Sequence, residues 1–261
     1  MSSIVTDRGL VHYEAYGRGQ PVILLHCWLG SWTYWRDTME VLKDGYKTYA
    51  LDFWGFGDSA KKGERFGVSD YVEMVTQFME RMGLERAPVM GHSMGGTVSL
   101  SLALAHPERV QKVAVVGSPI AGEGLSLILK LAAVRPLAAI AYTIPGAIPL
   151  GVRLSSPLLT RDWKTWSEMF EKDLSRTTLH SFHYSIASLR KTDLTPHLHR
   201  IRVPVLGIYG RKDHIVNPNQ GELLRQNIPL ARVAYFEKSG HFPMLDEPDR
   251  FHQVIRDFLD R

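Results

Sequence analysis

Ser93 stands between two unlike runs in residues 89–107, VMGHSMGGTVSLSLALAHP: an apolar stretch that reads as a strand and another that reads as a helix. Gly91 lies two residues before it; Gly95 and Gly96 lie two and three after. A serine hydroxyl becomes a useful nucleophile when a base sits within hydrogen-bonding reach and a third group fixes that base's tautomer. To project the hydroxyl from the end of a buried strand, the backbone must reverse within a few residues, at a cost of about 1–3 kcal/mol. Flanking glycines let neighbouring main chain approach without a Cβ clash. Gly91-His92-Ser93-Met94-Gly95, with strand before and helix after, is the nucleophile-elbow pattern, and its chemistry is acyl transfer.

The elements that must position this serine follow from hydrophobic periodicity. Strands are expected over residues 11–16, 21–26, 46–52, 88–91, 113–117, 203–209 and 232–236. Helices are expected over 32–42, 69–82, 95–105, 218–226 and 248–259. Ser69 is the expected N-cap of the second helix and Gly83 its stop; Pro248 suits a first turn. Strands apolar on both faces, alternating with helices, predict an α/β fold with a mostly parallel sheet covered on both sides. The alternation fails from about 120 to 198. The expected organisation is therefore a core of residues 1–119 and 199–261, with a helical cap insertion at 120–198.

Composition sets the broad class. With 261 residues, 44% hydrophobic and 22% charged, the chain reads as one globular core with room for an insertion. A formal charge of +4 without a basic block gives no reason to expect a nucleic-acid partner. The single cysteine, Cys27, excludes an intramolecular disulfide and fits a reducing compartment. The N-terminal residues lack a signal-peptide core, so a cytoplasmic location is expected. The most apolar stretch, 125–152, carries Lys130 and Arg135 and is broken by Pro136, Pro145 and Pro149, which argues against a membrane span.

An ordered set of segments resembles the α/β-hydrolase superfamily along nearly the whole chain. His26-Cys27-Trp28-Leu29-Gly30-Ser31 follows an early strand, and Asp52-Phe53-Trp54-Gly55-Phe56-Gly57-Asp58-Ser59 the next. Gly91 to Gly96, Tyr209-Gly210-Arg211-Lys212-Asp213 and Gly240-His241-Phe242-Pro243 complete the set. The order serine, acid, histidine is the one expected of this triad. His241 is assigned as the base and Asp213 as its orienting carboxylate; Asp52 and Asp246 are the weaker candidates for the acid. The resemblance implies an oxyanion hole formed by the backbone N–H groups of Trp28 and Met94. Where the family pattern has glycine after the loop histidine, this chain has Cys27. A positive φ there would strain a Cβ, whereas a merely close-packed position would accept a small buried thiol.

Cys27 is a weak nucleophile candidate beside an apolar strand, because a thiolate needs an electropositive, accessible setting. His180 and His183, and His197 and His199, offer no third metal ligand nearby, so neither metal nor cofactor is expected. Trp28 and Phe242 are candidate substrate contacts; Ile215 and Val216 adjoin the triad. Leu125, Leu127, Ile128, Leu131 and Ala132 recur at helical spacing, and most of that stripe is expected to bury against the core. The expected activity is cleavage of small carboxylic esters through an acyl-enzyme, with a small ester or related acyl compound as partner. The alternatives within the fold are a carbon–carbon bond hydrolase or a cofactor-free lyase, which would need arginine in the pocket; Arg135, Arg153, Arg161 and Arg190 are the cap candidates. A non-catalytic ligand receptor is the alternative from another class.

Overall fold

The computed structural model describes residues 2–63, 65–144 and 146–261, with the side chains of 137, 138, 140, 141, 147 and 158 outside that description; Pro145 also lies outside it. Eight strands form one sheet: β1 (Ser2–Thr6), β2 (Gly9–Gly17), β3 (Gln20–Leu25), β4 (Tyr46–Leu51), β5 (Ala87–His92), β6 (Val110–Val116), β7 (Val205–Gly210) and β8 (Ala231–Phe236). Their spatial order is β1-β2-β4-β3-β5-β6-β7-β8. The β1–β2 and β2–β4 pairs are antiparallel and every later pair is parallel. The central strands are apolar on both faces because helices cover both. Val22, Ile23, Leu24 and Leu25 of β3 are fully buried, and so is every residue of β5.

Before β7 the helices are α1 (Arg36–Leu42), α2 (Val68–Arg81), α3 (Met94–Ala105), α4 (Leu127–Ala132), α5 (Arg135–Thr143), α6 (Ala147–Ser155), α7 (Trp163–Leu174) and α8 (Leu179–Lys191). After it come α9 (Gln220–Asn227), α10 (Pro243–Asp246) and α11 (Pro248–Asp260). From β3 the chain steps to β4 on one side and returns to β5 on the other. In open α/β sheets, the carboxyl ends of strands flanking such a reversal splay apart and form a crevice for ligands. Here those ends lead into the segment opened by His26 and into Ser93.

Between β6 and β7 the described residues form helices and irregular chain but no strand of the sheet. Three expectations need correction. The N-cap of α2 is Gly67, not Ser69, because the Asp70 carboxylate reaches back to accept the Gly67 N–H at 2.8 Å. Residues 32–35 form a 3-10 turn ahead of α1. The α4 stripe is mostly outside the core: Leu125 is buried, but Leu127 and Ile128 are each 70% exposed and Leu131 is 46% exposed. No described helix is long and apolar enough to cross a membrane.

Candidate active site

Ser93 occupies the single-residue junction between β5 and α3, with φ 53° and ψ −117°. This is the left-handed region that a side chain rarely adopts, and tertiary contacts hold it there. The Ser93 N–H donates to the Val116 carbonyl at 2.7 Å, tying the junction to the end of β6. The neighbouring glycines serve close approach. A Cβ on Gly91 would lie 2.1 Å from the Gly95 carbonyl carbon, and one on Gly95 would lie 2.3 Å from the Leu25 oxygen. Strand β5, helix α3 and the end of β3 therefore touch backbone to backbone around the serine.

Asp213 and His241 come from the loops after β7 and β8. His241 Nδ1 and Asp213 Oδ2 are 2.7 Å apart, with both side chains buried. Asp213 Oδ1 accepts the N–H groups of Ile215 at 2.8 Å and Val216 at 2.9 Å, so the carboxylate is aimed by its own loop. The pair lies against Gly117, where a Cβ would sit 3.1 Å from His241 Nδ1 and 3.3 Å from Asp213 Oδ2. Gly117 directly follows Val116, whose carbonyl anchors the Ser93 N–H, so the Asp213–His241 pair packs against the residue next to the serine's backbone anchor.

Asp246 and Asp52 have other partners. Asp246 accepts the Gly240 N–H at 2.7 Å with one oxygen, and the Thr160 hydroxyl and Arg161 N–H at 2.7 and 2.6 Å with the other. It fastens the His241 loop to the segment ahead of α7. Asp52 accepts the Trp32 and Asp58 N–H groups at 2.7 and 2.8 Å, anchoring a turn. That turn also gathers His12, Asp52 and Asp58, residue types able to bind a metal; Asp58 there pairs with Arg176 at 2.7 Å. Of the histidine pairs, His183 contacts the Ala133 carbonyl at 3.1 Å, and His180 packs edge-on to Phe66.

Sequence reasoning missed two buried groups. His92 Nε2 lies 2.8 Å from the His241 carbonyl, which can only accept, so the ring nitrogen donates and bears on the backbone of the proposed base. Burial pushes the His92 pKa well down, and the nearby His241 adds to this. Asp173 on α7 is 2% exposed, and its Oδ2 has no hydrogen-bond partner. Burial pushes its carboxyl up to about 7 against the opposing hydrogen bond from Ser31. Both roles depend on contacts across the chain, which local spacing does not announce.

The segment after β3 resolves the Cys27 question. Leu29, at φ 57°, takes the left-handed conformation there, and Cys27 does not. Cys27 is buried, and a Cβ on Gly30 would lie 2.8 Å from its sulfur, so the thiol fills a close-packed position. Burial pushes its pKa far up, as does the charge of Asp173, opposite to what a thiolate nucleophile needs. His26 accepts the Phe53 N–H at Nε2, 2.9 Å, and donates from Nδ1 to the Cys27 carbonyl, 2.7 Å. Both ring nitrogens are thus committed, and burial pushes its pKa down to about 4. Met94 opens α3, where first-turn N–H groups have no intrahelical acceptor. The Trp28 indole N–H donates to the Phe182 carbonyl at 3.1 Å, joining this segment to α8.

Phe242 is buried in an aromatic group rather than standing apart. Its ring centroid lies 4.9 Å from His92, 5.1 Å from His241, 5.4 Å from Trp166 and 5.8 Å from Tyr34. Arg135, Arg153, Arg161 and Arg190 are all exposed.

Residues 20–248 match the family model described as alpha/beta hydrolase fold. The chain belongs to that family. This α/β hydrolase is 28% identical over 269 residues to 2-hydroxy-6-oxo-6-phenylhexa-2,4-dienoate hydrolase of Comamonas testosteroni, covering 96% of this chain and 91% of that one. It is 26% identical over 271 residues to the pimeloyl-[acyl-carrier protein] methyl ester esterase of Aeromonas hydrophila, covering 95% and 99%. Among solved structures, a hydrolase from Pseudomonas aeruginosa superposes with a TM-score of 0.88 at 22% identity, covering 100% of this chain and 98% of that one. The chain is a hydrolase of this fold.

Proposed function

We propose that this α/β hydrolase cleaves small carboxylic esters through an acyl-enzyme on Ser93. The observation that carries the reading is the buried Asp213–His241 pair at 2.7 Å, held at the strand ends beside the sharply bent Ser93. In the first half-reaction His241 takes the serine proton as Ser93 Oγ bonds to the ester carbonyl carbon. The tetrahedral species collapses, its C–O bond breaks, and His241 returns the proton to the departing alkoxide. In the second half-reaction His241 deprotonates water, which attacks the acyl-enzyme. The acid departs and Ser93 regains its proton. Asp213 fixes the His241 tautomer and favours the imidazolium that forms. The Trp28 and Met94 N–H groups receive the oxyanion, each a contribution of about 2.7–4 kcal/mol where such donors have been removed.

The methyl ester esterase relative supports an ester substrate. So does the exposure of the four cap arginines that a carboxylate-bearing substrate would call on. Trp28 and Phe242 are proposed as walls of the acyl site, beneath a cap formed by residues 120–198. A second reading, hydrolysis of a carbon–carbon bond beside a ketone, is supported by the similarity to the Comamonas enzyme, whose named substrate is a keto acid without an ester bond.

Turnover of a panel of p-nitrophenyl esters and of 2-hydroxy-6-oxo-6-phenylhexa-2,4-dienoate separates the readings. The ester reading expects a p-nitrophenol burst that Ser93→Ala abolishes, with the keto acid left intact. Keto-acid turnover without ester turnover would favour the second reading. Stoichiometric binding with no turnover of either would make the chain a receptor.

A further inference from the structure

We propose that helices α4 and α6 form a surface that docks on an anionic lipid bilayer. Among the described residues, six of the ten large hydrophobic side chains that stand exposed lie between residues 127 and 154: Leu127, Ile128, Leu131, Ile144, Leu150 and Leu154. All six are leucine or isoleucine. Isolated exposed apolar side chains are ordinary, but clustered ones mark a site of contact.

The same segment carries a net positive charge. From residue 124 to residue 161 there are four cations, Lys130, Arg135, Arg153 and Arg161, and no aspartate or glutamate. The whole chain has 31 lysines and arginines against 27 aspartates and glutamates, so without these four the two signs balance at 27 each. The formal net charge of +4 is therefore the charge of this one segment.

On each of the two helices, geometry places aliphatic side chains and a cation side by side. At about 100° per residue, Leu127, Ile128 and Leu131 share one side of α4, with Lys130 on its flank and buried Leu129 turned away. On α6, Leu150 and Leu154 share a side and Arg153 flanks them in the same sense. Helix α5 contacts both α4 and α6. Aliphatic side chains flanked by cations are the pattern of a helix lying in the lipid interface, where the apolar side enters the acyl boundary and the cations meet anionic headgroups.

Charge decides among the occupants. A second copy of this chain would set four cations against four. A specific protein interface would enrich aromatic residues, and none of the six exposed apolar residues is aromatic. An anionic bilayer complements both the charge and the aliphatic surface. The inference stands whether the substrate is an ester or a keto acid.

Flotation of the full chain with vesicles tests it. The protein is expected to rise with phosphatidylcholine vesicles containing phosphatidylglycerol and to stay at the bottom with phosphatidylcholine alone. Leu150→Ser with Leu154→Ser should lower the bound fraction about tenfold or more. Arg135→Glu with Arg153→Glu should abolish the preference for the anionic lipid. Both double variants should keep the parent's circular dichroism and thermal midpoint, which separates failed docking from failed folding. Absence of flotation with either vesicle would overturn the proposal, as would equal flotation of parent and both variants. So would a dimer that depends on Leu150 and Leu154, or capture of an acidic protein with no lipid binding.

Discussion

The His92 ring and the His241 backbone are joined by a 2.8 Å hydrogen bond from Nε2 to the carbonyl oxygen. The residue before the serine thus positions the residue that carries the proposed base, and Asp213 holds that residue's ring from the other side. His92→Phe removes the donor and leaves the His241 carbonyl buried without a partner, at a cost of about 1–3 kcal/mol of stability. Its expected kinetic signature is a kcat lowered about ten- to hundredfold with little change in KM, because the base is misplaced while the substrate surface remains. Steady-state kinetics on a p-nitrophenyl ester checks both.

Asp173 makes stability depend on pH. Its carboxyl, at about 7 in the folded chain against an ordinary 3.8, faces Ser31, Cys27, Tyr34 and Asp52 from the core, Lys172 on α7 and Arg176 just beyond it. Below the ordinary value it is protonated in both states and folding loses nothing. Between about 4 and 7 the unfolded carboxyl ionises first, so stability falls as pH rises, then levels above 7. Asp173→Asn mimics the neutral acid and should be more stable than the parent by roughly 3–4 kcal/mol at pH values above 7, with the difference vanishing in acid. His26, held neutral by burial, acts in the opposite sense, but it is common to both proteins and cancels in the comparison. Denaturant melts of the two proteins across this range give the answer.

Asp246 binds the His241 loop to the chain ahead of α7 through the Gly240 N–H, the Arg161 N–H and the Thr160 hydroxyl. Asp246→Asn replaces one acceptor oxygen with a donor that must face a donor. The expected result is a loss of about 1–3 kcal/mol and a lower kcat, with the pH profile keeping its shape since Asp246 does not take part in proton transfer. A shifted profile would instead make Asp246 part of the titrating group.

Cys27 should be inert in the native protein. Buried, with its thiol pushed far up, it should react with iodoacetamide only after denaturation. Cys27→Ala should retain ester turnover and cost about 1 kcal/mol through lost packing. Native alkylation that abolishes turnover at the same rate would return the cysteine to consideration.

Much of the candidate site was legible because its residues sit where strands end, and strands announce themselves as short apolar runs. Ser93, Asp213 and His241 fall just beyond β5, β7 and β8, and the glycines around Ser93 mark the backbone contacts that the structure contains. The antiparallel β1, SSIVT, escaped notice because an edge strand this short and half polar has no core periodicity. The α4 stripe misled because apolar spacing specifies a helix face but not what lies opposite it. Asp70 taking the Gly67 N–H, Asp173 buried beneath the β3 segment and His92 reaching the His241 carbonyl were hidden for related reasons. Each turns on where a side chain points once the chain has folded.

The central claim is that Ser93 is the nucleophile and that His241 activates it. Peptide mass mapping after reaction with an organophosphate ester tests this most directly. A single adduct on Ser93 is expected, absent in Ser93→Ala and formed much more slowly in His241→Gln. An adduct on any other residue, or labelling at the parent's rate in His241→Gln, would contradict it.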